Sequence, residues 1–237
     1  MSGNKHGSLE PRASNAEVDA FLDQVASMPK PAAAGKTGRL VFAMDATASR
    51  EPAWDRATHI QAEMFQAAGA AGSLRIQLCW YRGFMEFHAS PWSHDAAALL
   101  KEITRVRCAA GQTQIGRVLK HTIDEARTGR INALVFVGDC MEEDPAALES
   151  LAGELALLGI PAFMFQDGHD PRAEPVFRAV ARLTRGAYCR LDAGSAEQLK
   201  ELLRAVAAYA AGGIPALERL ARNGGRVVRE LTHQMKR

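Results

Sequence analysis

The chain of 237 residues is 47% hydrophobic and 24% charged, with a net charge of +2. That length allows one large α/β domain with short extensions, or two small domains, and the composition suits a globular chain with a sizeable core. The near-neutral balance excludes a strong overall field drawing the molecule to nucleic acid or to an anionic membrane.

In chain order, residues 1–13 are polar and mixed and read as disordered. Ser14-x-x-Glu17 then offers a capping box, and Val18, Phe21, Leu22 and Val25 share one helical stripe that Pro29 and Pro31 end. The stretch "PAAAGKTG" is a linker, so residues 1–37 form an extension with a short helix that docks on the main domain. Residues 39–45 are a continuous apolar run suited to a strand buried on both faces. Pro52 opens a helix whose inward stripe is Ala57, Ile60, Met64 and Ala68. "SLRIQLCWYRGFMEFHAS" alternates Leu74, Ile76, Leu78 and Trp80, turns near Arg82-Gly83 and resumes, which predicts a hairpin with one antiparallel strand.

A helix is expected from Asp95 to Val106, then the loop "RCAAGQTQ", then a helix through Arg127. "INALVFVGD" is a second fully apolar strand, and like the first it ends on an aspartate, Asp139. Asp144-Pro145 and Asp170-Pro171 each read as a helix opening, with Asp as N-cap and Pro at the first helical position. Between them Gly159 closes a helix and "IPAFMFQ" is a strand; after them Phe177, Val180 and Leu183 face inward, and "GAYCRL" is a short edge strand. Ser195-x-x-Gln198 caps a last helix to Gly212 carrying Leu199, Leu202, Leu203 and Val206. The alternation predicts an α/β fold: a doubly wound, mostly parallel, Rossmann-like sheet of six strands with one antiparallel edge strand, over residues 38–212. In the order 3-2-1-4-5-6, the strands ending at Asp45 and Asp139 are neighbours, and the crevice at their carboxyl ends is where such sheets bind ligands.

The segment "LVFAMDATASREP" places Asp45, Thr47 and Ser49 at alternate positions where the first strand stops. On an extended backbone these side chains point one way, but alternate residues stand about 6–7 Å apart, too far to meet one ion. The loop must curl, and Ala46 and Ala48 are small enough to allow it. A carboxylate and two hydroxyls suit a hard divalent cation, and Asp139 on the adjacent strand supplies a second negative charge.

With these residues the chain resembles the von Willebrand factor A (VWA) family, in its short intracellular bacterial form with a metal-ion-dependent adhesion site. The Asp-x-Ser-x-Ser loop of that family is matched by Asp45, Thr47 and Ser49, its loop threonine by Thr113 in "GQTQIG", and its later aspartate by Asp139 in "VFVGD". Thr47 departs from the usual serine, keeping the hydroxyl but adding a methyl group. The resemblance implies a non-enzymatic adaptor. Its Mg2+ (or Mn2+ or Ca2+) would ligate an exposed Asp or Glu of a protein partner, an ATPase or a larger complex in the short intracellular members.

The competing reading is a haloacid dehalogenase-like Mg2+-dependent phosphotransferase, with Asp45 as nucleophile, Asp139 with Glu143 or Asp144 as further acids, and Lys120 as its lysine. Thr47 stands where most such enzymes carry the general acid, and a hydroxyl cannot protonate a leaving group near neutral pH, although some phosphatase relatives do carry Asp-x-Thr. A plainer reading makes the aspartates helix caps; it suits Asp144 and Asp170 but explains neither the alternate spacing nor Thr113.

Other residues carry less. Glu142 and Glu143 read as a solvated face or the rim of the ion site, and Arg50, Arg82 and His169 as rim residues. Trp54 and Trp92 suit either the upper surface or the core. Cys140 adjoins Asp139, whose charge disfavours a thiolate. With Cys79, Cys108 and Cys189 it forms no C-x-x-C pair, which argues against zinc and gives no sign of a disulfide framework. The tail, residues 213–237, sets Arg219, Arg222, Arg226, Arg229, Lys236 and Arg237 against Glu218 and Glu230 along an interrupted apolar stripe. It reads as a basic amphipathic extension for protein docking rather than nucleic acid. No apolar stretch reaches transmembrane length and no signal peptide is visible, so a cytoplasmic location is expected.

Overall fold

The computed structural model describes residues 38–50, 74–191, 204–206, 208–210 and 216. The helices expected before residue 38 and after Pro52, Trp54, the start of the last helix and all of the basic tail except residue 216 lie outside the described residues. The strands are β1 (Gly38–Asp45), β2 (Leu74–Arg82), β3 (Glu86–Ala89), β4 (Ala133–Gly138), β5 (Ala162–Asp167) and β6 (Ala187–Leu191). The helices are α1 (Ala96–Ile103), α2 (Ile115–Ala126), α3 (Pro145–Leu157) and α4 (Ala173–Leu183), and Ala48–Arg50 form one 3-10 turn after β1.

The sheet runs β3-β2-β1-β4-β5-β6. Every neighbouring pair is parallel except β2 and β3, the antiparallel hairpin. This is the expected order, with β1 and β4 side by side. Because β1 is central, its side chains alternate between two cores. Leu40, Phe42 and Met44 pack with Leu99, Ile103, Val206 and Tyr209 on one face. Val41 and Ala43 pack with Val118, Leu119, Leu148, Phe177 and Val180 on the other. Burial on both faces is why β1 and β4 read as unbroken apolar runs rather than alternating ones.

The helix starts separate local signals from distant ones. Asp95 Oδ1 accepts from the Ala97 and Ala98 N–H groups, and Asp144 Oδ1 accepts from the Ala146 N–H with Pro145 at the first helical position, as expected. α1 ends at Ile103, short of the expected Val106, whose side chain packs into the core. Asp170 accepts from the Arg172 and Ala173 N–H groups, so it forms the turn before α4 and the helix begins later than Pro171. Gly159, at φ 67°, occupies the left-handed position after α3 that a residue with a Cβ avoids. Among the described residues no helix is long and apolar enough to cross a membrane.

Candidate metal centre

β1, β4 and β5 all run in one direction, so their carboxyl ends share one edge of the sheet. Asp45 ends β1 fully buried. Its Oδ1 accepts from the Thr47 N–H at 2.7 Å, and its Oδ2 from the Tyr81 hydroxyl at 3.0 Å. The loop curls as its small residues allow: the Ala46 N–H donates to the Tyr81 carbonyl and the Arg50 N–H to the Thr47 carbonyl. This brings the Thr47 and Ser49 hydroxyl oxygens within 3.1 Å of each other, Thr47 buried and Ser49 exposed.

Two further segments close on this loop. The Ala109 N–H donates to the Ala46 carbonyl, aligning residues before Thr113 with the Asp45 loop. Thr113 is buried and joined to Glu142 by two bonds: its N–H donates to Glu142 Oε2 at 3.2 Å, and its Oγ1 accepts from the Glu142 N–H at 3.0 Å. Asp139 leaves β4 just after Gly138, where a Cβ would lie 2.7 Å from the Phe136 ring and 3.6 Å from the Asp45 Cβ. The glycine thus lets the end of β4 lie against Asp45. Ligand atoms of Asp45, Asp139 and Cys140 all fall within 4.8 Å of one another.

Burial and two neighbouring carboxylates set the electrostatics of this cluster. Asp139 Oδ1 is buried and has no hydrogen-bond partner. Burial pushes Asp45 up to about 6; the Thr47 and Tyr81 bonds oppose the rise, and the Asp139 charge adds to it. Burial, then the Asp139 and Asp45 charges, push the Cys140 thiol up to about 12, which keeps it protonated. Two carboxylates and two hydroxyls beside a neutral thiol make an oxygen-donor set, and that chemistry fits magnesium, manganese or calcium rather than zinc.

Tyr81 is not singled out by the sequence, and Glu142 and Glu143, read there as a solvated face or the rim of the ion site, contact Thr113 and the start of α2. Tyr81 lies opposite Asp45 in the parallel register, on the other face from the alternation Leu74, Ile76, Leu78 and Trp80. Glu143 is half-buried rather than part of a solvated face, and its carboxylate accepts from the Ile115 and Gly116 N–H groups. It caps α2, whose own N-cap residue, Gln114, makes no side-chain hydrogen bond to the helix. Burial raises Glu143, and the helix N–H groups and the Thr113 hydroxyl hold it down.

The expected rim arginines have other work. Arg50 is 1% exposed, its Nη1 pairs with Asp167 at the end of β5, and its Nε and Nη2 have no hydrogen-bond partner. Arg82 pairs with Glu86 and donates to the Arg107 carbonyl. Trp92 packs at the opposite end of the sheet, where its Nε1 donates to Glu125 and the Arg39 guanidinium lies over its ring. His169 is exposed just beyond β5. Lys120 pairs with Asp124 on the exposed face of α2, and Glu143 and Asp144 serve as helix caps, so nothing here favours the phosphotransferase reading.

The fold matches known structures. One is a von Willebrand factor type A protein from Catenulispora acidiphila, at 17% identity and a TM-score of 0.60, over 74% of this chain and 43% of that one. Another is the SpRpn10 VWA domain, at 12% identity and a TM-score of 0.56, over 72% of this chain and 95% of that one. A third is the vWF domain of the type V pili tip protein Mfa5 from Porphyromonas gingivalis, at 11% identity and a TM-score of 0.55, over 73% of this chain and 96% of that one. This chain therefore spans less than half of the Catenulispora protein and nearly the whole of the two isolated domains. No protein-family model matches the sequence, and no curated protein does. The fold is that of a von Willebrand factor A domain.

Proposed function

We propose that this chain is a non-enzymatic, metal-dependent protein-interaction module. Asp45, Thr47, Ser49, Thr113 and Asp139 would hold one hard divalent cation, Mg2+ or else Mn2+ or Ca2+. The observation that carries the reading is the buried, unpartnered Asp139 Oδ1 in a cluster with the Asp45 carboxylate. A buried polar atom without a partner is costly, and a second carboxylate nearby raises the cost. The bound ion would supply a positive charge and an open coordination position that a carboxylate from outside can fill.

The chain's own residues set the terms of that exchange. The Thr47 N–H and Tyr81 hydroxyl fix the Asp45 carboxylate, and Glu142 holds the Thr113 hydroxyl oxygen, so the donors are ordered before any ligand arrives. Neutral hydroxyls at Thr47, Ser49 and Thr113 leave much of the ion's charge uncancelled. Without the ion, Asp45 and Asp139 repel an incoming carboxylate. The partner is then a protein with an exposed Asp or Glu, and an ATPase or a larger complex in the cytoplasm is the setting that the resemblance to short bacterial VWA proteins suggests. Capture of a partner from native lysate on the immobilised chain tests this. A band retained in magnesium and lost both in EDTA and with Asp45→Ala supports it, and equal capture in EDTA and magnesium refutes it.

A further inference from the structure

The β2–β3 hairpin holds two large apolar side chains in solvent at the same edge of the sheet as the candidate metal centre. Phe84 is 82% exposed and Met85 79%. The other exposed large apolar side chains among the described residues, Leu157, Leu158 and Leu183, close α3 and α4 at the opposite edge, where β5 and β6 begin.

This tip is braced rather than loose. Gly83 has φ 57° and Met85 φ 68°, a left-handed conformation that a Cβ disfavours and that neighbouring contacts must hold at Met85. Gln114 Nε2 donates to the Arg82 and Glu86 carbonyls, and Arg117 Nη1 donates to the Met85 carbonyl at 2.7 Å. Gly111 packs so closely that a Cβ there would lie 2.1 Å from the Gly83 carbonyl oxygen. All three braces come from the segment that carries Thr113, and Tyr81, just before the turn, donates to Asp45. Tip and centre are thus joined through the Thr113 segment and through the buried Tyr81–Asp45 bond.

The charge around the tip is positive. Arg82 pairs with Glu86, but Arg107 donates to the Thr104 and Val106 carbonyls, and Arg117 to the Met85 carbonyl and Gln114 Oε1. Among the described residues no carboxylate pairs with Arg107 or Arg117, and both are exposed. An acidic segment carrying a bulky apolar residue complements such a surface, since the apolar side chain covers Phe84 and Met85 while the arginines favour its charge.

We propose that Phe84 and Met85 form the second half of the docking surface, covering a bulky apolar residue of the same partner segment whose Asp or Glu reaches the metal centre. This rests on the proposed function, which it narrows to a partner class: an exposed segment with an acidic residue beside a Leu, Ile, Phe or Trp. The test is a displayed library of random short peptides selected on the full chain in magnesium and in EDTA. Selected peptides are then titrated against the wild type and F84S/M85S, whose exposed substitutions leave the melting temperature unchanged.

Magnesium-dependent peptides should place an apolar residue beside the acid and bind F84S/M85S at least about tenfold more weakly while keeping their magnesium dependence. Acidic peptides without the apolar neighbour, or equal binding to the variant, overturn this inference and leave the metal reading standing. Absence of any magnesium-dependent peptide overturns both. Sedimentation of the wild type but not F84S/M85S with phosphatidylserine-containing vesicles assigns the tip to lipid and also overturns it.

Discussion

The two ends of β1 carry polar clusters of opposite character. At its amino end, the Arg39 guanidinium lies 4.0 Å from the centre of the Trp92 ring and pairs with Glu125 at 2.8 Å. Glu125 also accepts from Trp92 Nε1, and the Arg39 backbone exchanges bonds with Asn132. Each charge there is answered by another group of the chain. At the carboxyl end, Asp45 and Asp139 pair with no cation among the described residues, and the nearby arginine, Arg50, is committed to Asp167. The same strand therefore ends once in a closed cluster and once in an open one. Stability alone would favour closure at both ends, and the open cluster is where the proposed ion would bind.

The largest effect should come from opening a closed pair at the upper edge. Asp167→Asn leaves the buried Arg50 guanidinium without its counter-charge and should cost about 3 kcal/mol in urea unfolding. Arg50→Met should cost less, because the Asp167 side chain it releases is 26% exposed and can be hydrated. At the lower end, Glu125→Gln weakens bonds from both Arg39 and Trp92 and should cost about 1.5 kcal/mol.

Asp139→Asn sharpens the contrast through its sign. In EDTA it removes one of two crowded carboxylates and should leave the chain as stable as the wild type or about 1 kcal/mol more stable. A destabilisation like that of Glu125→Gln would mean that the upper cluster is closed after all.

The smallest effect concerns pH. Burial holds the His121 imidazole below its ordinary value, with Glu125 and Asp124 opposing. The unfolded chain therefore binds this proton first as pH falls. The stability contribution is complete above about pH 6.5 and is lost below it. Urea midpoints from about pH 7.5 to 5.5 should fall less steeply in His121→Gln than in the wild type.

Much of the fold could be read from local pattern. The apolar runs of β1 and β4, the Asp95 and Asp144 caps and the position of Gly159 are set by nearest neighbours along the chain. The Asp45, Thr47 and Ser49 loop was legible for the same reason, since its alternate spacing is itself a local signal. What escaped depends on partners far apart in sequence. Glu143 caps a helix that begins 28 residues earlier, and Arg50 is buried only because Asp167, 117 residues away, neutralises it. Trp92, which suited either the upper surface or the core, packs against the core beside Arg39 and Glu125 at the other end, a choice that its neighbours in sequence could not make. Asp170 was misjudged by a smaller margin, because its carboxylate stabilises a turn that delays α4.

The most direct test is titration of metal-stripped protein with magnesium, followed by calorimetry and thermal unfolding, for the wild type and for Asp45→Ala, Thr113→Ala and Asp139→Asn. One ion bound per chain, with the wild-type melting temperature raised by ~4 °C or more at saturation and little or no rise in the variants, is the expected result. Equal melting in EDTA and in saturating magnesium, or wild-type binding retained by all three variants, would contradict a cation held among these residues.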